Sequence, residues 1–394
     1  MTTVETAEER KPRHAEVRST MSHFRNKEGM LIRTYASIVS DAKGSIVLVH
    51  GNRCHYRAEF AAYNMNWYLD TFKIGEPQVD DIVAKELQAV YPRGADNLLR
   101  KASSKGEKGF DIDGQNFFDL SPRFVYEGSF INKLNELGYN VYGLDHQSHG
   151  MSEGLKGRRN YYLDLENIVD DVIQFIDIVK RGQFENTEER YTEGVIGGPS
   201  QIGKIYLAGI SMGGFIVLRT AQKTAIYNQD NHMFVDGLIA FAPMCDLSSY
   251  TASLGRKIQL LVTKMLACCC PAATCMVPND RIINNMNTFV RGQDPHFFNG
   301  KQCYGVILSL IAATKTLHKN YHLYPENLPT LVVHCDGDDT VSVKGSRELT
   351  GKILKDHKDL KYVELKGNVH CLTSVLYNEN IMPHVSEWLA RVNA

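Results

Sequence analysis

The stretch Ile205-Tyr206-Leu207-Ala208-Gly209-Ile210-Ser211-Met212-Gly213-Gly214 constrains this chain more than any other. A short apolar run leads into Gly-x-Ser-x-Gly, and a helical pattern begins near Met212. A strand–turn–helix of this kind lifts a serine hydroxyl clear of a sheet. The turn is so tight that Gly209 and Gly213 must be small, because a side chain at either would collide with the strand or the helix. A chain with 31 glycines supplies such a pattern by chance often enough that its weight depends on partners elsewhere.

A serine hydroxyl is a weak nucleophile near neutral pH. It needs a histidine to take its proton and a carboxylate to orient that histidine. In sheets that carry a serine at an elbow of this kind, these partners follow it in the order acid, then histidine, at the carboxyl ends of later strands. Here Leu331-Val332-Val333-His334 runs into Cys335-Asp336-Gly337-Asp338-Asp339-Thr340-Val341, which offers three acids. The last strand ends in Lys366-Gly367-Asn368-Val369-His370. One helix and one strand separate the acids from His370, as adjacent parallel strands require. His370 is therefore the expected base, with Asp336, Asp338 and Asp339 competing to orient it. His50-Gly51-Asn52 follows a buried strand, and a turn there supplies the Asn52 amide as a second oxyanion donor beside that of Met212. His50 itself reads as a brace for the loop. His149 precedes the nucleophile strand and reads as structural.

The rest of the chain alternates strands with helices, which implies a mostly parallel sheet covered on both faces. Strands are expected at residues 20–25 and 30–37 around the hairpin signal Asn26-Lys27-Glu28-Gly29, and at 45–50, where the run is apolar throughout. Helical periods predict helices at 126–137 and 164–180, and further strands at 140–144, 235–241, 328–335 and 360–365. Residues 343–357 read as a helix, and Val385, Trp388, Leu389 and Val392 mark a last one. Between 244 and 327 the strand signals stop. Ile258, Leu261, Val262, Met265 and Leu266 share one helical stripe, and a second apolar helix follows at 304–314. The expected organisation is a disordered tail at 1–18, a core at 19–243, a helical lid at 244–327 and the remainder of the core at 328–394. Residues 56–124 interrupt the first part of the core. They mix aromatics with a Gly/Lys-rich stretch at 94–109 and read as a surface insertion. Residues 182–203 read as a polar loop.

Composition narrows the function. The net charge of −1 gives no footprint for nucleic acid. No apolar run reaches the roughly 18 residues of a membrane span, and no secretory or lipidation signal is visible. Nine cysteines, an odd number, are expected as free thiols of a cytoplasmic protein. The cluster Cys268, Cys269, Cys270 and Cys275 lacks the paired spacing of a zinc site. No phosphate-binding glycine loop or dinucleotide fingerprint is present. No metal or other cofactor is expected.

Taken together, Val49-His50-Gly51, Asp145-His146-Gln147-Ser148-His149-Gly150-Met151-Ser152-Glu153-Gly154, Gly209-Ile210-Ser211-Met212-Gly213-Gly214 and the Asp338 and His370 stretches resemble the monoacylglycerol lipase/lysophospholipase group of α/β-hydrolases, which are serine aminopeptidase S33-like. The lid is similar around Asp294-Pro295 and residues 301–317. The likeness spans most of residues 20–392 outside the insertion. The strand at 139–145 and the long insertion are most similar to the lysophospholipase-like branch of malaria parasites.

The resemblance implies an α/β-hydrolase fold with a mostly parallel central sheet, helices on both faces and an inserted helical lid. It selects Asp338 from the three acids, three residues before Val341, and gives the amides of Asn52 and Met212 as the oxyanion hole. The implied activity is hydrolysis of a small single-chain lipid ester through an acyl-enzyme, without a cofactor. Four residues depart from the family pattern. Arg53 replaces a small residue, Cys54 stands where monoacylglycerol lipases carry a glutamate for the glycerol head, and Ser148 and Cys335 replace glycines. The lid helices are expected to pack on their own domain. Peripheral membrane contact through the lid, or palmitoylation at Cys268, Cys269 and Cys270, are the sharper alternatives. A carboxylesterase, thioesterase or acyltransferase would share the triad. An S33-like aminopeptidase would need an acidic lid cluster, and the lid offers only Asp246, Asp280, Asp294 and Glu326. A binding protein would lack part of the triad. Dehalogenases and epoxide hydrolases place an aspartate at the elbow.

Overall fold

The hairpin signal at Asn26 joins two antiparallel strands, β1 (Arg18–Arg25) and β2 (Leu31–Ile38). Asn26 Oδ1 accepts from the amides of Glu28 and Met30, and Gly29 takes φ +77°, a turn geometry suited to glycine. The structure, a computed structural model, describes residues 17–72, 115–181, 203–225, 233–247, 254–274 and 286–393. After β2 come β3 (Gly44–Val49), α1 (Tyr56–Phe60), β4 (Ala62–Tyr63) and α2 (Met65–Phe72). Next are β5 (Phe124–Val125), α3 (Phe130–Glu136), β6 (Tyr139–Leu144) and α4 (Leu165–Arg181). The elbow joins β7 (Lys204–Ile210) to α5 (Met212–Thr224), and β8 (Gly237–Phe241) follows. Among the described residues of 244–327 lie the α-helices α6 (Leu254–Cys269), α7 (Met286–Gln293) and α8 (Tyr304–Lys319). The chain closes with β9 (Thr330–Cys335), α9 (Val343–Glu348), β10 (Leu360–Leu365) and α10 (Asn378–Asn393).

Among the described residues eight strands form one sheet in the order β1-β2-β6-β3-β7-β8-β9-β10. The first two joints, β1 with β2 and β2 with β6, are antiparallel, and every later joint is parallel. Strand alternation splits the apolar runs between two cores. Val47, Val49, Ile205 and Leu207 pack with α4 and α5 on one face. Ile46, Leu48, Tyr206 and Ala208 pack with α3 and α10 on the other. This is the α/β-hydrolase architecture. Chain order turns back at β3, so the carboxyl ends of β3 and β7 meet at the switch point where ligands bind in such sheets.

Local breaks shorten two expected helices. The pattern read across 126–137 starts only at Phe130, because Gly128 takes φ +72° and Ser129 caps the Asn132 amide. The helix read across 343–357 ends at Glu348 and continues as a π-helical turn, Leu349–Ile353. The described ends of the segment 56–124 are built into the core, since Tyr56, Phe60, Tyr68, Phe117 and Phe124 are buried and β4 pairs with β5. The Gly/Lys-rich stretch 94–109, nearly all of the 1–18 tail, nearly all of the loop at 182–203 and Cys275 lie outside the described residues. On α6, Thr263 is buried, whereas Leu261 and Met265 are 60% and 64% exposed. The apolar stripe of that helix therefore faces outward among the described residues.

Candidate active site

Ser211 occupies the turn between β7 and α5 with φ 58° and ψ −118°. A non-glycine residue there carries strain of about 1–3 kcal/mol. Surrounding hydrogen bonds fix it: its amide donates to Phe241 O (2.9 Å), and its carbonyl accepts from the amides of Met244 (3.0 Å) and Phe215 (3.1 Å). Both elbow glycines are required. A Cβ on Gly209 would overlap the Gly213 carbonyl, and one on Gly213 would overlap Val49 O and lie 2.7 Å from His50 O. Met212 opens α5, so its amide is among the helix N–H groups without an intrahelical acceptor.

The loop after β3 closes against the elbow. A Cβ on Gly51 would lie 3.4 Å from Ser211 Cβ and 3.5 Å from a Glu59 carboxylate oxygen. Tyr162, buried, ties the two expected oxyanion residues together, donating to Asn52 Oδ1 (3.2 Å) and touching Met212 Sδ (3.3 Å). His50 donates from Nδ1 to Gly51 O (2.7 Å) and accepts at Nε2 from the His146 amide (3.0 Å). Gly51 O can only accept and the amide only donate, so His50 is a neutral imidazole with both nitrogens used. Burial, helped by nearby His149, pushes its pKa well down. With both ring nitrogens engaged, His50 braces the loop.

The acid and the histidine meet at the ends of β9 and β10. His370 Nδ1 donates to Asp338 Oδ2 at 2.6 Å. Asp338 Oδ1 accepts from the amides of Thr340 (2.8 Å) and Val341 (3.0 Å). Burial alone would raise the Asp338 pKa. Hydrogen bonds from His334 and His370 and the Val341 amide more than reverse this and hold it well below the usual carboxylate range. Of its rivals, Asp336 turns outward to Lys366 Nζ (2.6 Å) and the Gly367 amide, and Asp339 is exposed. Ser211 Oγ itself makes no hydrogen bond to His370, a common condition of substrate-free sites. Among the described residues no group of three or more His, Cys, Asp or Glu side chains is placed to hold a metal ion.

Three residues that touch the candidate site were not legible in the sequence. His334, at the end of β9, donates from Nε2 toward Asp338 Oδ2 (3.2 Å) and is held at Nδ1 by Ser346 Oγ (2.7 Å). Tyr162 lies in an irregular segment with no motif around it. Glu59 brings a buried carboxylate beside Gly51 and receives Thr373 Oγ1 (3.3 Å). Burial and Glu59 push the Cys54 thiol well up, so Cys54 is a neutral neighbour where the family pattern has a glutamate. The Arg53 and Ser148 departures both sit at positive φ, 67° and 66°, a conformation that favours small residues. Arg53 is held there by Phe298 O (3.2 Å) and Gly300 O (2.7 Å), and Ser148 by Tyr161 O (2.7 Å).

A strained serine at a Gly-x-Ser-x-Gly elbow, on a sheet of this order, defines an α/β-hydrolase. The family described as serine aminopeptidase, S33 (Hydrolase_4) matches residues 125–374, and the chain belongs to that family. Solved structures of the same fold include the monoacylglycerol lipase of Paleococcus ferrophilus, with 18% identity, TM-score 0.54, and coverage of 92% of this chain and 99% of that one. A soluble variant of the monoglyceride lipase of Saccharomyces cerevisiae, in complex with a substrate analogue, matches at 15% identity and TM-score 0.58 over 95% of each chain. A thermostable carboxyl esterase of Bacillus coagulans, in complex with glycerol, matches at 13% identity and TM-score 0.57 over 95% of this chain and 99% of that one. At these identities the likeness is one of fold. No curated protein sequence matches the chain.

Proposed function

We propose that the chain is a serine ester hydrolase that cleaves a single-chain acyl ester, a lysophospholipid or monoacylglycerol, through an acyl-enzyme. The observation that carries this reading is the 2.6 Å Asp338–His370 hydrogen bond on the same sheet edge as strained Ser211. Ser211 Oγ attacks the ester carbonyl as His370 Nε2 takes its proton. The amides of Asn52 and Met212 donate to the carbonyl oxygen as it becomes an oxyanion. His370 then protonates the leaving alcohol. Water attacks the acyl-enzyme with His370 again as base, and the carboxylic acid departs. Asp338 stays ionised throughout and stabilises the imidazolium. The names of the structural neighbours, lipases and an esterase, support an ester substrate. The likeness to the malaria-parasite lysophospholipase-like branch supports the lysophospholipid within that class.

An aminopeptidase reading gains nothing from Asp294, and Asp280 lies outside the described residues. Asp294 is taken by His55 Nε2 (2.6 Å) and the His296 amide (2.9 Å), which leaves little to hold a substrate amine. We read residues 244–327 as a lid over the acyl site. The outward Leu261 and Met265 of α6 support its contact with a membrane surface. No helix among the described residues is long and apolar enough to cross a membrane. The test is a substrate panel of lysophosphatidylcholine, monoacylglycerol, short nitrophenyl esters, an acyl thioester and an aminoacyl amide. Fatty acid release from either of the first two, without amide cleavage, is expected. Cleavage of the amide alone would overturn the proposal.

A further inference from the structure

Beside the loop that carries Asn52 lies a cavity of about 240 Å³, far above the roughly 30 Å³ share of one water. Arg57 of α1, Ser121 and Arg123 before β5, Met151 after β6, and Asp294 and His296 after α7 line it. Two contacts tie this region to the loop after β3. Asp294 is bonded to His55, and the Phe298 amide donates to Arg53 O (2.9 Å).

The lining carries two guanidiniums that form no ion pair among the described residues. Arg57 is only 3% exposed. Its guanidinium meets only neutral partners, donating from Nη1 to Phe117 O (3.3 Å) and from Nη2 to Met151 Sδ (3.7 Å) and lying over the Phe124 ring, and Nε has no partner. Arg123 stacks on Trp67, and its buried Nε is also unpartnered. Neither forms an ion pair with a carboxylate among the described residues. Asp294 faces the same space, but His55 and the His296 amide already occupy its oxygens. Two guanidiniums less one carboxylate leave a lining charge of about +1, and Arg159, with its own buried and unpartnered Nη1, lies close enough to act on Asp294 and His296. Burial holds His296 neutral, with its pKa lowered to about 3, so its unpartnered Nδ1 adds no charge. An unpaired buried guanidinium is costly, and its planar fork suits a phosphate or carboxylate oxyanion.

We propose that this cavity is an oxyanion subsite that takes the phosphodiester of a single-chain lipid, so that lysophospholipids are preferred over neutral monoacylglycerols. The single negative charge of a phosphodiester matches the lining better than the double charge of a phosphate monoester. The proposal rests on the ester-hydrolase reading for its link to catalysis, but the anion site can be tested separately.

The experiment measures binding to the full chain carrying Ser211→Ala, which removes turnover. Probes are lysophosphatidylcholine below its micelle concentration, the monoacylglycerol and the free fatty acid of the same chain, and inorganic phosphate. Arg123→Gln is expected to weaken lysophosphatidylcholine binding about tenfold to a hundredfold, the loss of a charge-assisted hydrogen bond. Arg123→Lys should recover part of it, and the preference over monoacylglycerol should shrink with Gln. Arg123 is only half-buried, and Ser121→Ala gives a second, milder variant, each checked for an unchanged unfolding midpoint. Equal lysophosphatidylcholine affinity in the parent and in all three variants would overturn the site. Fatty acid binding with the same Arg123 dependence and greater affinity would assign it to the product carboxylate and overturn the phosphodiester. Inorganic phosphate that binds without displacing the lipid would make it a free-phosphate site and also overturn the proposal, whereas competition supports it. If the unsubstituted enzyme hydrolyses no ester of the panel while Arg123-dependent lipid binding persists, the catalytic reading fails and the subsite stands.

Discussion

Acidification from pH 7 to pH 5 is expected to cost the fold about 2 kcal/mol through one side chain, His149. His149 is buried behind the oxyanion loop, with its ring 5.4 Å from that of His50 and 5.9 Å from Tyr162. Its Nδ1 donates to Gln147 O at 2.9 Å, and Nε2 makes no hydrogen bond among the described residues. Burial therefore lowers its pKa from 6.5 to about 4, against the smaller upward pull of the Gln147 carbonyl and Asp145. Unfolding restores the value of 6.5. Between the two values the unfolded chain binds more protons, so stability rises with pH across that window and is lost as pH falls through it. The whole gap is worth about 3 kcal/mol, of which about 2 kcal/mol falls between pH 7 and pH 5. Against a typical total of about 5–15 kcal/mol this is large. His50 and His146 shift in the same direction. Asp171 works the other way, because burial raises its carboxyl pKa and the folded state holds the proton. The comparison of parent with His149→Gln separates these effects. Urea unfolding at pH 7, 6 and 5 should show the parent losing about 2 kcal/mol more than the variant. Equal losses would refute the reasoning.

Asp338→Asn should lower kcat by about 10⁴-fold, while Asp336→Asn, which breaks only the Lys366 contact, should stay close to the parent; steady-state ester hydrolysis distinguishes the two acids. His334→Ala should remove one donor from Asp338 Oδ2 and lower kcat/KM about tenfold. Steady-state ester hydrolysis measures this, and a variant as active as the parent would contradict that role. Gly213→Ala should cost about 1–3 kcal/mol of stability by overpacking and about a hundredfold in rate by displacing the Met212 amide. Gly351→Ala, where a Cβ meets nothing within 4 Å, is the control for both unfolding midpoint and rate.

The sheet was legible because doubly buried strands such as β3 and β7 read as unbroken apolar runs bounded by glycine. The positions of Ser211 and His370 were legible because chain order fixes which strand ends they follow. Asp338 was not separable from Asp336 and Asp339 by spacing alone. In a tight turn neighbouring acids point in different directions, and only the resemblance and then the packing, with Asp336 on Lys366, told them apart. His334 and Tyr162 were invisible because their roles depend on contacts across elements, Ser346 to Asp338 in one case and Asn52 to Met212 in the other. The helical period at 126–137 misplaced the start of α3, since periodicity does not register the φ of Gly128. The outward stripe of α6 shows the same limit, because period alone gives a face but not what the face meets.

Labelling with a fluorophosphonate probe, which phosphonylates an activated serine, tests the central claim most directly. The parent chain should become covalently labelled and lose its ester hydrolysis in proportion. Ser211→Ala should fold with an unchanged unfolding midpoint and take no label. Persistent labelling of that variant, or a parent that takes none while hydrolysing esters, would contradict the assignment of Ser211 as the nucleophile.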